Sequence, residues 1–282
     1  MTIIEQSLVP KSPTRRSEDG IVVTADFVAV IDGSTSKSTL RCHRNYREKN
    51  PLAFFREHSN GEQAMLIVAD SIKHLKKDAS CRQFCTAATA ALRSYYKQDR
   101  LPHLAQHPED RMAASCIVFS RLRREVWMVG DCQGLLIGGD GEPLLLDNPK
   151  PSEQELAAER AAIIKASPKP WDHFRTDDTA RKAIIPHMLE TMRQQNNGYS
   201  VIDGFPVDMA HVKTIALDFR PWQVVLATDG YPFLCPTLAE SEQRLAWQRD
   251  NDPLNIGTFK ATKAFAPGSN SFDDRAYIRF DI

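Results

Sequence analysis

The chain has 282 residues, 42% of them hydrophobic, and its 36 basic and 36 acidic residues cancel. That length fits one large domain or two small ones, and the apolar fraction suffices for a substantial core. Charge neutrality argues against a nucleic-acid or anionic-membrane partner, and no apolar run approaches the ~20 residues that span a bilayer. Residues 1–17 lack a basic-then-apolar leader pattern, and the six cysteines are scattered without metal-site spacing. Reduced thiols in a cytoplasmic, monomeric protein are therefore expected.

Residues 1–17 are polar, with prolines at 10 and 13, and read as an N-terminal arm to a single domain over 18–282. Ile21–Val23 and Phe27–Ile31 flank Thr24-Ala25-Asp26, which predicts a β-hairpin. Its second arm ends abruptly in Asp32-Gly33, presenting the Asp32 carboxylate at the rim of a sheet. The outer ends of a hairpin lie side by side, so Asp19 belongs near Asp32. Residues 35–58 carry Arg41, His43, Arg44, Arg47 and Lys49. They read as a solvated loop, with an electropositive rim beside Asp32 as the functional alternative. Apolar positions at helical spacing, Met65 to Leu75 and Phe84 to Tyr95, predict two helices laid on a sheet face.

Strands return at Ser115–Ser120 and Glu125–Val129, the second ending in Gly130-Asp131. Gly134–Gly138 follows and turns at Gly139-Asp140-Gly141 into Leu144–Leu146. This antiparallel meander argues against a doubly wound parallel sheet. Ser152 with Glu155 three residues later predicts a capping box and a helix over 152–165. A loop follows over Lys165–Asp172. A second helical stretch, Asp177–Gln195, is expected to break at Pro186. Residues of about 148–200 read as a helical flap. Tyr199–Ile202, His211–Asp218 and Trp222–Thr228 read as strands, the last ending in Asp229-Gly230. A helix over Leu238–Arg249 follows, and Asp273-Asp274 precedes a closing strand, Ala276–Phe280.

Acidic residues thus stand at five strand ends: Glu18/Asp19, Asp32, Asp131, Asp229 and Asp273/Asp274. One Asp-Gly at a strand end is more often only a turn. Several carboxylates brought together cannot all stay ionised without a cation. Hard ions such as Mg²⁺ or Mn²⁺ take carboxylate, carbonyl and water oxygens. Two such ions can activate water near neutral pH and hold a phosphoryl group.

The order of these segments resembles the PPM family, the metal-dependent type-2C serine/threonine phosphatases. An acidic pair precedes the first hairpin (Glu18-Asp19), and a strand ends in Asp-Gly (Val30 to Gly33). Later come a Gly-Asp turn (Gly130-Asp131-Cys132), an Asp-Gly turn (Thr228-Asp229-Gly230) and Asp273-Asp274 before the last strand. The resemblance covers nearly the whole chain. It implies an α+β fold, a sandwich of two antiparallel sheets flanked by helices, with two Mn²⁺ or Mg²⁺ ions in a cleft at one end. It implies hydrolysis of phosphoserine or phosphothreonine on a protein substrate, by a hydroxide bridging the ions. Asp32 would bridge both ions, with the Gly33 carbonyl on one and Asp229 and Asp273 on the other. Asp19 and Glu18 would bind directly or through water, and Asp131 and Asp274 are outer or third-ion candidates.

The chain departs from the family at three positions. Ser34 stands where many members have histidine. Thr14 stands at the phosphate-binding arginine, leaving Arg15 or Arg16 to serve. Phe233 stands at a third-ion aspartate. A partner-binding module with weak or no activity, and a small-molecule phosphatase, are the alternatives. A phosphate loop of the Gly-x-x-x-x-Gly-Lys type is absent.

Overall fold

The computed structural model describes residues 1–34, 37, 40, 42–46, 57–139 and 142–282. Arg41, Arg47 and Lys49 of the basic stretch, and Asp140-Gly141 of the glycine turn, lie outside the described residues. In chain order the elements are β1 (Thr2–Val9), β2 (Asp19–Val23), β3 (Phe27–Gly33), α1 (Asn60–Lys73), α2 (Cys81–Arg93) and α3 (Leu101–Gln106). Next come β4 (Ala114–Ser120), β5 (Glu125–Val129), β6 (Gln133–Ile137), β7 (Leu144–Leu146), α4 (Glu153–Ala166), α5 (His173–Thr176) and α6 (Thr179–Met192). The chain closes with β8 (Lys213–Ala216), β9 (Gln223–Ala227), α7 (Leu238–Asn251) and β10 (Arg275–Asp281).

The strands form two five-stranded antiparallel sheets, ordered β1-β10-β9-β6-β7 and β2-β3-β4-β5-β8. Alternation along each strand explains how they stack. Val28 and Val30 of β3 point into one cluster with Ile117 of β4, Val224 and Leu226 of β9 and Ile278 of β10. That cluster is the layer between the sheets. Ala29 and Ile31 point the other way, into a cluster with Val68 of α1 and Phe84 and Ala88 of α2. These two helices therefore cover the outer face of the β3 sheet. Ser80 and Gln83 form a capping box at the start of α2, and Thr237 and Glu240 form one at the start of α7. Such caps satisfy backbone donors that the first helical turn leaves open.

Four local expectations change. The segment read as an arm contains β1, which pairs with β10 from Thr2↔Asp281 to Val9↔Arg275. Its alternation is weak because both faces are partly exposed. No capping box forms at Ser152, whose side chain makes no cap hydrogen bond. Pro186 does not break α6, which runs through it to Met192. Proline removes one backbone donor, and this helix bears the loss on a largely half-exposed stretch. Tyr199–Ile202 forms only two isolated bridges, Gln195↔Tyr199 and Ala114↔Ile202, in place of a strand.

The insertion between β7 and β8 packs its helices on one another. Ala161, Ile164, Phe174 and Ala180 make a small cluster with Leu254 and Ile256. Arg160, fully buried, ties it together by donating to Asp178 and to the carbonyls of Leu254 and Ala261. No helix of the described residues is long and apolar enough to cross a membrane.

Candidate metal centre at the end of the sandwich

The strand ends deliver their carboxylates to one place. Asp19 and Asp32 are directly paired across β2 and β3. Residues opposite each other in an antiparallel ladder project on the same side. Asp32 also continues the parity of Val28 and Val30, so it faces the inter-sheet layer where that layer opens. Gly33 permits the close turn beyond it. A Cβ there would lie 2.2 Å from the Gly61 carbonyl oxygen and 2.6 Å from that of Glu18. The Gly33 N–H donates to the Glu18 carbonyl at 3.1 Å, locking the pair of strand ends.

Asp229 follows β9, whose neighbours in the sheet are β10 and β6. Asp131 lies in the tight β5–β6 turn, where Gly130 adopts φ of 82°. The Ser115 hydroxyl donates to Asp131 Oδ1 at 2.6 Å. The carboxylates of Asp131 and Asp229 meet a third from the insertion, Glu153 of α4, with their oxygens within 4.8 Å of one another. Asp32, Asp131, Glu153, Asp229 and Asp273 all line one cavity of about 710 Å³.

The charges there are not all matched. Burial and then the Asp32 charge raise Asp19 well above the usual carboxylate range. Burial, followed by Asp32 and Asp273, does the same to Asp229. Asp32 is raised to about 7 by burial and by Asp131, against the pull of Lys150. Asp19 Oδ2 is buried and makes no hydrogen bond among the described residues. Like charges gathered at the strand ends, one of them with an unpartnered oxygen, suit a cation.

Two other predicted ligands already hold ammonium groups. Lys150 Nζ lies 2.6 Å from Asp131 Oδ2. Burial opposes ionisation of Asp131, but Lys150 and Ser115 outweigh it and hold the carboxyl low. Lys263 forms an ion pair with Asp273. Lys11 Nζ sits 3.5 Å from the same carboxylate. These two cations overcome burial and bring Asp273 down to about 2. The donor set thus fits a divalent ion best where Asp19, Asp32 and Asp229 converge.

Glu18 and Asp274 serve the scaffold visibly. Asp274 accepts from the backbone N–H of Lys11 at 2.7 Å and of Glu18 at 2.9 Å. Glu18 accepts from the Ser59 hydroxyl that caps α1. Arg15 and Arg16 are not brought to the cavity. Arg15 is exposed. Arg16 pairs with Glu62 at 2.8 Å and donates to the Glu57 carbonyl. The cationic lining comes instead from Lys37, Lys150, Arg181, Lys260 and Lys263. Burial, then Lys263 and Arg181, lower Lys37 to about 7.

Glu153, Lys150, Lys263 and Arg181 were not singled out by sequence reasoning. Glu153 lies at the first turn of a helix that the Ser152 cap reading treated as structural. One signal was available: Lys150 stands between Pro149 and Pro151, an unusually rigid setting for a charged side chain.

No family model matches the chain, and no curated protein matches it. Solved structures similar to it include the serine/threonine phosphatase PstP/Ppp of Mycobacterium tuberculosis. That match has 15% identity, covers 99% of this chain and 98% of that one, and has a TM-score of 0.48. The PPM Ser-Thr phosphatase MsPP of Mycobacterium smegmatis, in complex with cacodylate, matches at 13% identity, with 99% and 98% covered and a TM-score of 0.47. The serine/threonine phosphatase Stp1 of Staphylococcus aureus matches at 14% identity, with 100% and 95% covered and a TM-score of 0.46. With identities this low, the functional reading rests on the site itself.

Proposed function

We propose that this chain is a divalent-metal-dependent phosphomonoesterase of the PPM type, acting on phosphoserine and phosphothreonine in proteins. The observation that carries the reading is the placement of Asp32 and Asp229 in one cavity, with Asp19 buried and directly opposite Asp32 on the neighbouring strand, its Oδ2 unpartnered among the described residues. These residues, with the Gly33 carbonyl, would hold Mg²⁺ or Mn²⁺. When bound, such ions stabilise charge on a phosphoryl group and acidify a water. The protein's own contribution is a rigid carboxylate set and a cationic wall. Lys37 and Arg181 line the same cavity and would neutralise and orient the anionic phosphate ester. The ends of α4 and α6 bound that wall, so the insertion would contact the substrate.

A second reading has its own support. Lys263 on Asp273 occupies a carboxylate that a two-ion centre would use, and Lys150 on Asp131 occupies one expected to serve an outer or third ion. This favours a weak or inactive module that binds a partner. Hydrolysis of a phosphoserine peptide in millimolar Mn²⁺ separates the two. The phosphatase reading expects metal-dependent turnover that Asp32→Ala abolishes. Mn²⁺ binding without turnover supports the second reading, and equal turnover by Asp32→Ala contradicts the first.

A further inference from the structure

A second cluster of metal-binding side chains lies away from the carboxylate centre. It sits on α3 and the 3₁₀ turn that follows, Pro108–Asp110. His103 and His107 are one helical turn apart, so both rings leave the same face. The rings stack with centroids 4.3 Å apart and planes at 18°. His103 Nε2 lies 2.7 Å from Asp110 Oδ2. One ligand atom from each of His103, His107 and Asp110 falls within 4.8 Å of the other two.

We propose that His103, His107 and Asp110 form a site for a transition-metal ion of the Zn²⁺ class, independent of the carboxylate centre. The donor chemistry distinguishes the two places. Two imidazoles and one carboxylate suit zinc and its neighbours, whereas an all-oxygen set suits Mg²⁺ or Mn²⁺. Ligands of one tetrahedral Zn²⁺ with bonds of ~2.0 Å stand roughly 3.3 Å apart. Small side-chain adjustments reach that spacing from the observed positions. Three protein ligands leave a fourth position for water.

Glu109 supplies the independent observation. Its Oε1 lies 3.4 Å from His107 Nδ1. Its Oε2 is buried and makes no hydrogen bond among the described residues. A carboxylate behind one ring nitrogen fixes the tautomer and turns the other nitrogen toward a metal. A hydrogen-bonded histidine–aspartate pair alone accounts for His103 and Asp110. It does not account for His107 or for the unsatisfied oxygen of Glu109. Glu109 is also held by Arg193, just past α6, at 3.0 Å. Gln195 donates to the Pro108 carbonyl from the same segment. These contacts tie the 3₁₀ turn to the foot of the insertion.

The test uses the full chain without an added histidine tag, freed of metal, then dialysed against Zn²⁺ and titrated with Co²⁺ while its visible absorption is followed. Wild type and Asp32→Ala should each retain a Zn²⁺ equivalent that the double variant His103→Gln/His107→Gln lacks. Both should show Co²⁺ bands of nitrogen ligation. Glu109→Gln should bind about 10–100-fold more weakly. Equal Zn²⁺ retention by the double variant, or none by wild type, overturns the site. Should the double variant fail to fold, diethylpyrocarbonate labelling of wild type decides. Protection of His103 and His107 by Zn²⁺ supports the site, and unchanged labelling overturns it. Because Asp32→Ala is expected to keep this ion, failure of the phosphatase reading and failure of the histidine site give different results.

Discussion

Asp19 and Asp32 stand directly opposite each other on β2 and β3, each with its carboxyl driven toward the protonated form by burial and by acidic neighbours. An acid whose folded pKa is raised stabilises the fold below its unfolded pKa and loses that contribution as pH rises through the folded value. For Asp32 the window runs from about 4, the unfolded value, up to about 7. The metal-free protein should therefore become less stable as pH rises across that window. Asp273, lowered to about 2, acts in the opposite sense, and its contribution is lost only as pH falls below about 4. Thermal unfolding in chelator between pH 4.5 and 7.5 checks this. The decline should shrink in Asp32→Asn and vanish when Mn²⁺ is added. A flat profile in chelator would contradict the repulsion argument.

Lys263 competes with any cation that Asp273 would bind. Lys263→Met should tighten Mn²⁺ binding by about tenfold, ~1.4 kcal/mol, through loss of a like charge beside the ion. Calorimetric titration measures it. Unchanged affinity would mean that Asp273 takes no part in the centre.

The cavity wall predicts which cations meet the phosphate. Arg181 lines the cavity while donating to the carbonyl and hydroxyl of Thr262, whereas Arg16 lies outside it, engaged with Glu62 and the Glu57 carbonyl. Arg181→Ala should raise KM for a phosphopeptide by about tenfold, and Arg16→Ala should leave it within about twofold. The reverse order would return the phosphate site to the N-terminal arginines.

Gly33 is fixed by space alone. A Cβ at this position would overlap the Gly61 carbonyl, which is backbone and has no rotamer to adjust. Gly33→Ala should cost at least ~2 kcal/mol, readable as a lower denaturant midpoint. A neutral substitution would mean that α1 shifts freely against β3, and the turn would lose its claim to rigidity.

The β2–β3 hairpin, the meander and the pairing of Asp19 with Asp32 were legible because period-two alternation and strand-end Asp-Gly report local geometry. The stacking of the strands into two sheets came from the resemblance to the PPM family, because period-two alternation does not say which strands share a sheet. Strand β1 was hidden, since an edge strand with neither face fully buried carries weak alternation between polar neighbours. Glu153, Lys150 and Lys263 were hidden for a different reason. They reach the site from an insertion and a long loop whose approach is set by tertiary packing around Arg160, which no local spacing encodes. Arg15 and Arg16 were placed by resemblance; both are exposed, and Arg16 is held by Glu62 and the Glu57 carbonyl.

The most direct test is anomalous diffraction from a crystal soaked in Mn²⁺. The account predicts a manganese peak in contact with the carboxylates of Asp19, Asp32 and Asp229. A fully soaked crystal with no peak there, and with Lys150 and Lys263 still seated on Asp131 and Asp273, would contradict it.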